Sequence, residues 1–452
     1  MAVVTVVGAS GALLSVTIND DAAYSLAQFY AASVNDIAFS GVLAASDLAP
    51  DGTAAAIPNG EIGEAVIMAP GSYDVPNGYS YVTVAANVPV TLNEGKTVSP
   101  TSVLAGTGGT TLYGGIGGGF FIAGGGNNLF SGGAGNYVVA TGDGNSSIYG
   151  GIGSDLIQGG VGFNQIFTGA GNDAVYSRGT DLIYLGSGNS AVYLTGSHSI
   201  VSSSVGASAI YDGGNYDSFA SGPASTVLVG GNSGSYSFSG NATVSGGSND
   251  TITAAANTTV FGGVNTTVFQ NGTGALAFIA TAGESATVGG GNRSASVYGA
   301  DGANITYLGA SGASTLVAQS GNETLNGGLS TGAVDLFAGS GNDSLAGGSG
   351  ADMLVGGTGA STLTGGAGSA NTFMFLSSNV GANITITDFG SAAGNLVNLF
   401  GFGANEAQTA LATAVNTSTG GSSITLSNNT TITFTSLDAD QLKAHGTQFI
   451  SS

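Results

Sequence analysis

Residues Ala338–Thr364 read AGSGNDSLA, GGSGADMLV and GGTGASTLT, three nine-residue units in succession. Each unit has a glycine-rich turn, an Asp or Ser at its sixth place and a leucine at its eighth: Leu345, Leu354 and Leu363. A GGxGx stretch makes a tight turn whose backbone angles glycine adopts at low cost. The following xUx stretch is a three-residue strand that turns one apolar side chain inward. A strand that short buries nothing by itself, so the units must stack. Two units then form one coil, and alternate turns fall on the same side of the stack.

The same beat runs earlier, through GGIGGGFFI from Gly114, GGAGNYVVA from Gly132 and TGDGNSSIY from Thr141. It is sharpest in GGIGSDLIQ, GGVGFNQIF and TGAGNDAVY, from Gly150 to Tyr176. Val139, Ile148, Ile157, Ile166 and Val175, nine apart, are the expected inward column. From Ser177 to about Phe337 units of eight and ten intrude, and Ser, Thr or Asn takes the Asp place. Ladders of such side chains satisfy turn backbone without metal. Glycine numbers 82 of 452 residues, yet there is no strict three-residue period and Pro is only 7, which removes collagen. A hydrophobic content of 42% removes a disordered linker. The chain is therefore expected to be all-β, a right-handed parallel β-roll or β-helix. At ~4.8 Å per coil, about fifteen coils would make a rod of roughly 70 Å.

Residues 1–100 differ in texture. Asn19–Asp21 is placed to cap a helix to about Val34, with Leu26, Phe29, Tyr30, Ser33 and Val34 on one face. Glu64–Ala69 and Tyr79–Leu92 read as strands. This predicts a small α+β head over 1–100, acting as a cap or an assembly module, ahead of a roll over 101–372. A β-rich cap over 373–452 follows, with a helix in NEAQTALATAV, a hairpin in SSITLSNNTTITF and Asp438 with Gln441 capping a last helix.

The nonapeptide GGxGxDxUx resembles that of the repeats-in-toxin (RTX) proteins, and the C-terminal part is similar to the RTX C-terminal module. In place of that module's acidic residues and Asp-Gly turn stand Asn395, Asn398 and Asn428–Asn429. The resemblance implies Ca²⁺ between stacked turns, held by carboxylates and backbone carbonyls. It also implies export by type I secretion machinery through an uncleaved C-terminal signal, with HGTQFISS as an exposed tail. Calcium takes about six to eight oxygen ligands in a forgiving geometry. Asp155 and Asp173 share the motif position eighteen residues apart, hence adjacent turns on one side, and form the best pair. Asp343 and Asp352 are nine apart and belong to opposite sides; Asp343 faces Ser361, with Glu323 near the turn below. The competing role for these aspartates is turn stabilisation alone.

Charge narrows the function classes. There are 26 acidic residues against 4 basic ones, a net charge of −22, so clustered cations for nucleic acid or anionic membranes are missing. An acidic chain without Cys suits calcium-rich surroundings outside the cell. The N-terminal residues lack a signal peptide's basic region and long apolar stretch. Two His, His198 and His445, come with no HExxH and no nucleophile elbow, so an enzyme is not expected. The expected role is a secreted, calcium-binding structural protein that self-assembles as a surface layer, filament, or extracellular or biofilm matrix. The alternative is an adhesin that binds glycan, cell-surface polysaccharide or another cell, with the aromatic stretch Phe120–Tyr137 as its only local candidate, although most of those aromatics are better explained as inward residues. A polysaccharide-modifying enzyme has the least support, because almost no Lys, Arg or His is present to stabilise an anion.

Overall fold

Short strands repeat along nearly the whole chain in a computed structural model that describes every residue except Ala393. They divide into two compact units, Met1–Val227 and Leu228–Ser452.

In the first unit, β1 (Ala2–Val7) and β2 (Leu13–Ile18) form an antiparallel hairpin, followed by α1 (Asp21–Phe39). Asp20 caps α1 by accepting the backbone N–H groups of Ala22 and Ala23 through Oδ1. The buried face of α1 is Ala23, Ala27, Tyr30, Ala31 and Val34, whereas Phe29, expected on it, is exposed. Alanines at i, i+4 and i+8 let the helix approach closely. They pack with the hairpin on Leu104, Ile122 and Ala140 of the parallel strands.

The parallel ladder starts inside the segment expected as a head. β3 (Leu43–Asp47) pairs with β4 (Ile62–Ile67), β4 with β6 (Tyr79–Val84), and β6 with β8 (Thr101–Ala105). Between them β5 (Gly71–Asp74) pairs with β7 (Val90–Asn93) to open the second sheet. The α+β texture is thus confined to residues 1–39, and the outer edge of β3 lies against residues 9–11. Beyond β8 the sheets add strands alternately, in register. Phe121, Val139, Ile157, Val175, Val192 and Ile210 form one inward column. Phe130, Ile148, Ile166, Ile183, Val201 and Phe219 form the other. All five expected inward residues are fully buried. Phe121, Phe130 and Tyr137 are buried too, as their reading as inward residues requires, which leaves the adhesin alternative without its local candidate.

The second unit repeats the plan. Val244, Val260, Phe278 and Val297 stack in one sheet; Leu345 and Leu363 share the other, with Leu354 opposite. Its C-terminal end holds α2 (Glu406–Ala412), an antiparallel hairpin of Ser422–Thr425 with Thr431–Phe434, and α3 (Ala439–Ala444). Asn429 turns that hairpin at φ 65°, an angle Asn tolerates, and Asp438 with Gln441 forms a full capping box. The final residues are not an exposed tail. Phe449–Ser451 adds in parallel to Val397–Leu399, and Phe449 packs on Phe389 and Phe434. Among the described residues no helix is long and apolar enough to cross a membrane.

Candidate metal centre

Stacking places the sixth residue of each unit directly over its equivalent one coil away. The backbone N–H of one such residue then donates to the side chain of the next. Tyr137 N–H donates to Asp155 Oδ1 at 2.7 Å, and Asp155 N–H donates to Asp173 Oδ1 at 2.9 Å. Asp173 N–H ends this run on Ser190 Oγ. In the other sheet the run passes from Ser146 N–H to Asn164 Oδ1, then from Asn164 N–H to Asp181 Oδ1. A second ladder on the turn exteriors runs the opposite way: Ser154 N–H donates to Asn136 Oδ1 and Phe163 N–H to Asn145 Oδ1. Neutral Asn and Ser thus perform the backbone duty as well as Asp does.

The expected ligands divide by what their second oxygen does. Asp155 and Asp173 come together on adjacent coils, and the Oδ2 of each is buried with no well-formed hydrogen bond among the described residues, although the Thr168 hydroxyl lies beside Asp173. Burial pushes the Asp155 carboxyl up to about 7 and raises that of Asp173 as well. Asp343 and Asp352 have both oxygens engaged. Asp343 accepts from the N–H groups of Glu323 and Gly339, and Asp352 from those of Val334 and Gly348. These two aspartates do not meet each other; Asp343 pairs with Ser361 in register. Glu323 lies against Asp343, and burial with that neighbouring carboxylate pushes it up to about 8.

In the units of Asp155 and Asp352 a first-place glycine keeps open the space that Oδ2 faces, whereas Thr168 and Ala338 hold that place in the units of Asp173 and Asp343. A Cβ built on Gly150 would lie 2.3 Å from Thr168 O and 2.6 Å from Asp155 Oδ2. At Gly347 the corresponding distances are 2.5 Å to Gly365 O and 2.4 Å to Asp352 Oδ2. A carboxylate oxygen and the carbonyl of the next coil thus converge where a side chain would sit. This donor set is all oxygen, buried and short of positive charge, which fits a hard divalent cation such as Ca²⁺. No three His, Asp or Glu side chains cluster among the described residues, so main-chain carbonyls would supply the rest of the ligands. Asp155 and Asp173 would hold such an ion, which would neutralise the paired charge and tie coil to coil.

Asp181 and Asp217 were missed by the nine-residue count, yet the Oδ2 of each is buried with no well-formed hydrogen bond among the described residues, Ser177 lying beside the one and Asp212 beside the other. Asp181 accepts from the N–H of Asn164 and Asp217 from that of Ser199. The signal was present: TDLIY at Asp181 matches SDLIQ at Asp155, displaced by one lost turn residue.

Residues 138–191 and 317–369, in overlapping matches, fit the family model of the RTX calcium-binding nonapeptide repeat. They contain all four aspartates expected as ligands, and Asp181. No curated protein and no solved structure shows significant similarity to the chain.

Proposed function

Because the chain is an RTX β-roll protein whose repeats bind Ca²⁺, we propose that it is a secreted structural protein that self-assembles outside the cell, without catalytic activity. RTX repeat proteins are typically secreted, and the −22 charge suits a medium in which calcium is abundant. The observation that carries the assembly reading is an apolar column on an outward sheet face. Tyr149, Phe167 and Tyr184 stack at 5.0 and 4.8 Å between ring centroids, and both tyrosines are well exposed. A regular aromatic stripe on a stiff β-surface is a self-complementary face for a second copy. Addition at strand edges has less support, because residues 9–11 cover β3 and α2 covers the last strand. Both histidines serve packing, His198 stacked on Tyr216 and His445 edge-on to Phe389. Export by type I secretion machinery remains part of this reading, with the signal inside the folded C-terminal module.

Electron microscopy of the full chain in millimolar calcium, then in chelator, tests the proposal. Ordered sheets or filaments that dissolve on chelation are expected. Dispersed single particles in both conditions would overturn assembly. The adhesin reading would then take precedence.

A further inference from the structure

Outward from the sheet that holds Asp155, the register sets Gln158, Tyr176, Tyr193 and Tyr211 in one file. The three tyrosine rings stack at 4.7 and 4.8 Å, nearly parallel. At Gln158 the rings stop. A cavity of about 190 Å³ opens there, lined by Ala22, Gln158, Tyr176, Arg178, Tyr193 and Thr195. The start of α1 forms one wall, fixed by the ion pair of Arg178 with the helix cap Asp20. Gln158 Oε1 is buried without a hydrogen-bond partner among the described residues. A buried amide oxygen left unpaired costs free energy that a ligand donor recovers.

We propose that this cavity is a binding site for one neutral pyranose unit of a polysaccharide. The volume accommodates a single six-membered ring with its hydroxyls. The electron-rich face of a tyrosine ring attracts the polarised C–H groups of a sugar. The Gln158 amide, whose oxygen is covered as it stands, must turn toward the ring to accept a sugar hydroxyl, and Thr195 Oγ1, which donates to Ser177 O, accepts a second. Charge selects against uronic acids: Arg178 is paired with Asp20, and Asp20, Asp21 and Asp143 together outnumber Arg178 and the N-terminal ammonium in this neighbourhood. The site is independent of assembly, because it lies in the first unit on the sheet opposite the Tyr149 column.

Saturation-transfer NMR on the full chain, with methyl glycosides of glucose, galactose and mannose and with galacturonate as probes, tests the proposal. At least one neutral glycoside should receive transfer, and galacturonate should not. Gln158→Leu and Tyr176→Leu should each weaken binding about tenfold, while Tyr298→Leu, an exposed tyrosine of the second unit, should change nothing. Tyr176 is an outward side chain, so its replacement spares the inward column. Absence of transfer to every neutral glycoside would overturn the proposal. So would equal binding of galacturonate, or binding that survives both variants.

Discussion

At the scale of the residue, each motif aspartate has two oxygens with separate duties. Oδ1 takes the N–H of the coil before, a duty that Asn128, Ser146 or Asn371 performs without charge. Only Oδ2 gives Asp a reason to be Asp. Replacing Asp155 or Asp173 by Asn should keep the ladder bond and remove the charge, weakening calcium binding about tenfold or more by calorimetric titration. Asp343→Asn and Asp352→Asn should act mainly on stability, because both oxygens there accept backbone N–H groups. The glycine opposite Oδ2 is equally constrained. Gly150→Ala and Gly347→Ala each force a Cβ onto a carbonyl and a carboxylate, and should cost about 1–3 kcal/mol or more in urea denaturation. Gly403→Ala, which meets nothing within 4 Å, should be close to neutral.

At the scale of the element, α1 is tied to the first coils through a buried polar chain. Tyr30 Oη lies 2.9 Å from Thr83 Oγ1, which donates to Glu64 Oε1 at 2.6 Å. Burial pushes Glu64 up to about 7, with the Thr83 hydroxyl partly offsetting it, and pushes Glu94 up to about 8. The folded state keeps these protons to near neutral pH, whereas the unfolded chain releases them near pH 4.5. Between those limits the native state binds more protons, so stability falls as pH rises from about 4.5 to 7 or 8. In chelator the chain should be more stable at pH 5 than at pH 8. Glu64→Gln should remove on the order of 3 kcal/mol of that slope. Equal stability at both pH values would refute the assignment. At the other end, the last strand should be integral to the fold. Phe449→Ala should cost about 3–5 kcal/mol in the same assay, and Ile450→Ala, at an outward position, far less.

At the scale of the whole molecule, the four cations do little to offset the acidic charge. Lys96 pairs with Asp74 at the surface and Arg178 with Asp20, while burial further penalises the ladder aspartates. Calcium entering those sites relieves burial and repulsion together. Millimolar calcium should therefore raise the melting temperature well above the value in sodium chloride of equal ionic strength, where only screening operates. Calcium binding near pH 7 should also release protons, because the Asp155 carboxyl titrates there. Equal melting temperatures in the two salts would mean that the Asn and Ser ladders alone hold the coils.

Periodicity by itself determined the solenoid and its interior. A nine-residue beat leaves Ile157, Ile166 and Leu354 no place but inside, because any slip of a three-residue strand exposes them. The caps at Asp20 and Asp438 were legible for the same local reason: the partner lies within three residues. Tertiary structure decided everything that depends on the next coil. It started the ladder at Leu43, where no glycine repeat announces it and LAASD carries no β-branched residue to mark a strand. It also folded Phe449–Ser451 back into a sheet whose partner is some fifty residues away. And it separated Asp155 and Asp173 from Asp343 and Asp352, although all four occupy the same motif place. Whether a carboxylate oxygen stays free is set by which backbone N–H groups the stacked turns bring within reach, and one sequence unit does not contain its neighbours.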